Sequence, residues 1–195
     1  MEHRDLLIKT ASSMVKKGKG ILAADESNPT CGKRFESIGV ESTYENRNEY
    51  RDMLLGSENI ENFISGVIMF DETFRQATTC SNKTPFPDYL LSKGIIPGIK
   101  VDKGAKDLAG FQNEKVTEGL DGLRERLNEY FDLGARFAKW RAVINIDDSM
   151  PSLAAIEANT HALARYAALC QETGIVPIVE PEVLMDGDHS AKECY

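Results

Sequence analysis

The sequence predicts an α/β fold of parallel βα units, and three observations carry that expectation. Five near-continuous apolar runs recur, helical patterns lie between them, and each run closes on charged residues. The runs are "GKGILAADES" (18–27), "ISGVIMFDET" (64–73), "GIIPGIKVDKG" (94–104), "FAKWRAVINI" (137–146) and "GIVPIVEPEV" (174–183). Aliphatic and β-branched runs of this kind suit strands covered on both faces. A doubly wound sheet and a (β/α)8 TIM barrel both fit the alternation. Charge at all five strand ends favours the barrel, whose single active site draws on many strand ends. An open sheet gathers its ligand groups at one switch point.

The helices follow in order. Residues 5–16 read as a helix before the first strand. Ser42-x-x-Glu45 is a capping-box candidate ahead of "NRNEYRDMLL". Residues 119–133 put Leu120, Leu123, Leu127, Tyr130 and Phe131 on one face, with Gly134 as a natural stop. Residues 151–170 open on Pro151 near the first turn and carry Leu153, Ile156, Leu163 and Tyr166.

From Asp25 to Glu182, four intervals span 157 residues. Eight units at that spacing of about 39 residues need about 310, within the usual barrel range. The 195 residues hold five such units. Residues 1–195 are therefore expected to be the N-terminal part of one barrel, with the remaining units and the C-terminal tail absent.

Composition excludes several classes. Hydrophobic residues make up 42% and charged residues 28% of the chain, an ordinary globular balance. A formal charge of −8 disfavours nucleic acid, whose binding needs cationic surface. There is no signal-peptide pattern at the start and no bilayer-spanning apolar stretch, so no membrane partner is expected. Cys31, Cys80, Cys170 and Cys194 are scattered without C-x-x-C spacing and read as free thiols of a reducing cytosol. His3, His161 and His189 lack metal-ligand spacing, so no metal and no cofactor are expected. No G-x-G-x-x-G or P-loop pattern occurs.

The strand ends carry the chemistry. Lys139 and Arg141 sit two apart in a buried run, so both point to one face. Two cations there are costly unless anions meet them. Glu180 and Glu182 also share a face, and close carboxylates suit acid/base work, although they also serve as simple counterions. Asp25, Glu26 and Ser27 end the first run, where a carboxylate can handle a proton or a helix can be capped. Lys100 and Asp102 end the third, as ligand groups or as an internal ion pair. A lysine among cations and apolar walls can attack a carbonyl as the neutral amine. Arginine with lysine suits phosphate. The set points to a carbon–carbon lyase or isomerase acting on a phosphorylated sugar.

The blocks "KGKGILAADES", "GKR", "ENR", "PGIKVDKG", "EGLDGL", "GARFAKWR", "ARYAALCQ", "GIVPIVEPE" and "DGDH" resemble the class I, Schiff-base fructose-bisphosphate aldolases. The resemblance runs from about Leu6 to the end. It implies reversible cleavage of fructose 1,6-bisphosphate to dihydroxyacetone phosphate and glyceraldehyde 3-phosphate. It also implies a (β/α)8 barrel and a homotetramer at full length. The location implied is the cytoplasm, or a plastid if an upstream transit peptide has been lost.

By resemblance, Asp25 and Lys139 serve the C4 hydroxyl and the cleaved bond, Glu180 is the acid/base glutamate, and Glu182 sits beside the lysine cluster. Lys100 and Arg141 match substrate- and phosphate-contacting positions, and Ser27, Lys33, Arg34 and Arg47 match positions near one phosphate. The Schiff-base lysine of the family lies on a sixth strand, beyond Tyr195, so the 195 residues alone are expected to lack turnover. Asn28-Pro29-Thr30-Cys31 departs from the Thr-Gly-Ser of animal forms and looks plant-like. The alternatives are a short non-catalytic relative that binds sugar phosphates or a protein partner, and a transaldolase-like barrel.

Overall fold

The computed structural model describes residues 3–195. Five strands form one parallel sheet: β1 (Gly20–Ala24), β2 (Ile64–Met69), β3 (Ile96–Lys100), β6 (Phe137–Ile144) and β7 (Val176–Val183). Their spatial order is β1-β2-β3-β6-β7, so sequential units lie side by side. All five apolar runs are these strands. The two short strands β4 (Ala105–Asp107) and β5 (Lys115–Thr117) form an antiparallel hairpin after β3 that the apolar pattern did not announce. Their residues are mostly polar, β4 is exposed and β5 is only three residues long, so no hydrophobic period marks them.

Helices α1 (Arg4–Met14), α3 (Tyr44–Leu55), α6 (Leu123–Asp132) and α7 (Leu153–Thr173) match the expected helical segments, with shifted ends. For α3 the cap is Thr43, whose hydroxyl accepts from the Asn46 N–H at 3.1 Å; Ser42 is not the cap. α6 starts four residues later than its apolar pattern, because Gly119 (φ 131°) and Gly122 (φ 63°) hold left-handed backbone ahead of it. α7 is capped by Ser152, just after Pro151, and ends at Gly174 (φ 88°). Further helices are α2 (Asn28–Glu36), α4 (Asp71–Phe74), α5 (Phe86–Ser92) and α8 (Ala191–Cys194). None of the described helices is long and apolar enough to cross a membrane.

Alternation along β6 separates two interiors. Ala138, Trp140 and Ala142 face the helices, where they join Val67, Met69, Ile99, Leu127, Tyr166 and Cys170 in the main core. Trp140 lies against Tyr166 with ring centroids 5.5 Å apart. Phe137, Lys139, Arg141 and Val143 take the other face. Phe137 is fully buried there with Ile68 and Met14, and Ile96, Val176 and Ile178 pack around them. This apolar floor seals one end of the inner face and leaves the charged residues above it. Its fit depends on glycine: a Cβ on Gly98 of β3 would stand 2.2 Å from the Phe137 ring, and one on Gly66 of β2 would stand 3.0 Å away.

Cys31 and Cys170 are buried, Cys80 and Cys194 are exposed, and none is disulfide-bonded. Burial pushes the Cys170 thiol up to about 12, as expected for a core residue rather than a nucleophile.

The sheet has two edge strands, β1 and β7. The Val176 N–H donates to Arg136 and the Leu184 N–H to Ile144, so even-numbered residues of β7 bond to β6. The odd-numbered ones, Pro177, Val179, Pro181 and Val183, turn outward. Proline has no N–H to offer, so the β7 edge is blunted, whereas β1 contains no proline. Gel filtration of the 195-residue chain is expected to show self-association that starts at β1. A soluble monomer that unfolds cooperatively is the opposite result.

Candidate active site

The C-terminal ends of the strands open into a cleft of about 1010 Å³. That is at the upper end of ligand-pocket sizes. Asp25, Ser27, Lys100, Lys139, Arg141, Glu180 and Glu182 all line it. The structure thus brings together seven of the ten residues to which the resemblance assigns a role, and Glu26 and Asp102 beside them.

Lys139 is the centre. Its Nζ stands 3.3 Å from Asp25 Oδ2 and 3.5 Å from Glu180 Oε2. Its side chain is only 13% exposed, and that of Asp25 12%. The register sets Arg141 beside Glu180 and Val143 beside Glu182, so both glutamates face inward with the β6 cations. The contact with Asp25 says more about shape. In a flat sheet β1 and β6 are three spacings apart, about 14 Å, and their side chains stand parallel. A Lys139–Asp25 contact therefore requires the sheet to curl strongly, as the wall of a barrel does.

Around this pair the charges are balanced. The Arg141 guanidinium pairs with Glu182, and that hydrogen bond holds the Glu182 carboxyl below its usual range. Lys100 pairs with Asp102, whose carboxylate is 2% exposed and also accepts from the Gly104 N–H at 3.0 Å. Both the internal pair at the third strand end and the counterion role of the two glutamates are real contacts, and they lie within the cleft. Lys100, Lys139 and Arg141 each meet a carboxylate, whereas Arg126, on the same cleft wall, donates to the Val101 and Gly119 carbonyl oxygens at 2.9 and 2.6 Å.

Three of the ten residues lie outside the cleft lining. Lys33 is exposed on α2. Arg34, one residue on, pairs with Glu26. Arg47 grips Glu72 through two parallel bonds, Nε to Oε1 at 2.7 Å and Nη2 to Oε2 at 2.8 Å. Its Nη1 donates to the Ser42 carbonyl oxygen at 2.6 Å and to the Ser42 hydroxyl at 3.2 Å, so every nitrogen of the guanidinium has a partner in the protein. Ser27 takes the N-cap position of α2, but its hydroxyl meets Thr30 Oγ1 at 3.0 Å instead of a backbone N–H.

The structure adds residues that sequence reading did not assign to the site. Arg75 reaches Asp71 Oδ1 at 3.0 Å and Glu129 Oε1 at 2.5 Å along one wall. The Tyr130 hydroxyl donates to Asp71 at 2.7 Å. Burial, and then the Asp71 bond, push the Tyr130 phenol up to about 12, so it stays a donor. Asp71 closes the second apolar run, which was the available signal. Among the described residues no three His, Cys, Asp or Glu side chains gather as a metal site needs.

The sequence profile described as fructose-bisphosphate aldolase class-I matches residues 6–195. The chain belongs to the class-I fructose-bisphosphate aldolase family. A probable fructose-bisphosphate aldolase class 1 of Xanthomonas campestris is 62% identical over 189 residues, which cover 97% of this chain and 56% of that protein. The cytosolic fructose-bisphosphate aldolase 5 of Arabidopsis thaliana is 54% identical over 193 residues, 99% of this chain and 53% of that one. Among solved structures, a Plasmodium falciparum fructose-bisphosphate aldolase, crystallised with TRAP and a small-molecule inhibitor, superposes with a TM-score of 0.94 at 49% identity. That match covers 99% of this chain and 56% of the aldolase chain. The fold is therefore the aldolase TIM-barrel fold, here with five parallel strands. The chain spans about half the length of the curated aldolases it matches.

Proposed function

We propose that the chain is the N-terminal part of a single aldolase barrel that cleaves fructose 1,6-bisphosphate reversibly to dihydroxyacetone phosphate and glyceraldehyde 3-phosphate. The observation that carries this reading is the Asp25–Lys139–Glu180 cluster, which joins three strand ends in one cleft. Aldol cleavage needs a proton removed from the C4 hydroxyl and a carbanion managed beside a carbonyl. In this reading Asp25 and Lys139 attend that hydroxyl and the breaking bond. Glu180, 3.5 Å from the ammonium, passes protons as acid and base. Glu182 holds Arg141 ready, and Lys100 and Arg141 turn to the substrate and its phosphate when it enters. Ser27 serves a phosphate from the cleft rim, with Lys33 and Arg34 on the helix behind it. Arg47 in this reading supports that helix through Glu72 and Asn28 and makes no direct phosphate contact.

The Schiff base forms on a lysine that the family carries on a later strand. Homotetrameric assembly and a cytoplasmic location rest on family likeness. The test is borohydride trapping with dihydroxyacetone phosphate on the full-length gene product. A stable adduct on a lysine outside residues 1–195 is expected. A full-length product that forms no adduct overturns the proposal in favour of a non-catalytic sugar-phosphate binder.

A further inference from the structure

Helix α3 sends two arginines, Arg47 and Arg51, from one face to carboxylates just past two strand ends, four residues apart. Arg47 holds Glu72, just past the end of β2. Arg51 holds Glu26, just past the end of β1, and its side chain is only 2% exposed. A buried arginine at a position that could hold an apolar residue calls for a reason.

Its contacts supply one. Arg51 Nη1 donates to Glu26 Oε2 at 2.5 Å, and Nη2 donates to the Glu26 carbonyl oxygen at 2.8 Å. The same Nη2 lies 3.4 Å from Cys31 Sγ on α2. The guanidinium therefore grips side chain and backbone of one residue at once. The other Glu26 oxygen is taken by Arg34 and, at 3.5 Å, by the Tyr50 hydroxyl. Glu26 stands between Asp25, which meets Lys139, and Ser27, which begins α2. The Glu26 carbonyl lies in the peptide plane that leads on to Ser27, and holding the side chain as well anchors the Cα from which the chain runs back to Asp25.

We infer that Arg51 is a positioning residue: through Glu26 it sets the direction in which Asp25 and Ser27 enter the cleft. This role rests on the sugar-bisphosphate reading of that cleft. A planar fork suits the task, because a lysine cannot hold both oxygens in the same geometry.

The test separates positioning from folding. Arg51→Met alone leaves Glu26 half-buried without its main partner and is expected to lower the melting temperature. Arg51→Met with Glu26→Gln removes both charges, and its melting temperature is expected to return close to that of the parent. In that double variant the nuclear Overhauser contact between the Lys139 ε-methylene and the Asp25 β-methylene is expected to vanish. Calorimetric affinity for fructose 1,6-bisphosphate is expected to fall about tenfold, the scale of one lost charged contact. Arg51→Lys keeps the charge and a folded background while losing the two-pronged grip, and it is expected to lose the same contact. A parent-like contact and parent-like affinity in either variant overturn the inference. All variants are made in the full-length gene product; if that parent itself fails to bind the sugar bisphosphate, the functional reading falls, and the Lys139–Asp25 contact alone judges Arg51.

Discussion

Phe137→Ala is expected to destabilise the chain by about 3–5 kcal/mol, the usual cost of emptying a fully buried aromatic site. A domain of this size has about 5–15 kcal/mol in total, so the variant stands near the edge of folding. Phe137 is fully buried and forms the floor of the inner face with Ile68 and Met14. The reverse lesion is Gly98→Ala. Gly98 does not hold left-handed backbone, so the penalty comes from the added methyl, which would sit 2.2 Å from the Phe137 ring. Overpacking of that kind costs about 1–3 kcal/mol. The two changes touch the same space, and their combination should cost less than the sum, by about 0.5–3 kcal/mol. Urea unfolding of the two single variants and the double variant, each made in the full-length gene product, measures this. Additive losses would show that the ring and the glycine are not packed together.

Lys139→Met is expected to weaken binding of fructose 1,6-bisphosphate about 10- to 100-fold. That range corresponds to about 1.5–3 kcal/mol for a hydrogen bond to a charged group. Methionine keeps most of the length and apolar stem of the side chain, so lost packing is a small part of the change. It also leaves Asp25 and Glu180 facing the cleft without the cation they share. Arg141→Met is the matched control, because Arg141 is 40% exposed and its removal frees one carboxylate instead of two. Calorimetry on both variants should show the larger loss at Lys139. Equal or reversed losses would place the ligand nearer the β6 C-terminus than the Lys139 cluster.

Much of this was legible in the residues. Continuous apolar runs mark strands buried on both faces, and all five became strands of the sheet. The spacing of Lys139 and Arg141, and of Glu180 and Glu182, gave their shared face, because strand periodicity is local. What failed was of two kinds. The β4–β5 hairpin is short and mostly polar, so it has no apolar period to read. The partners of Arg47, Arg51 and Arg75 depend on which helices approach which strand ends, and no local pattern encodes that. The pairing of Arg47 with Glu72, 25 residues away in sequence, is one such contact. Tyr130 fitted the apolar face of its helix, and only the fold reveals that its hydroxyl reaches Asp71.

The outward prolines of β7 have a mechanical effect. A strand laid alongside that rim finds amide hydrogens only at Val179 and Val183, while the carbonyls at Pro177 and Pro181 can still accept. Such a junction is stitched at half its donor positions and parts at lower cost than the joint between β2 and β3, where no proline faces the partner strand. The two glutamates that face the ligand ride on that same loosely fastened stave.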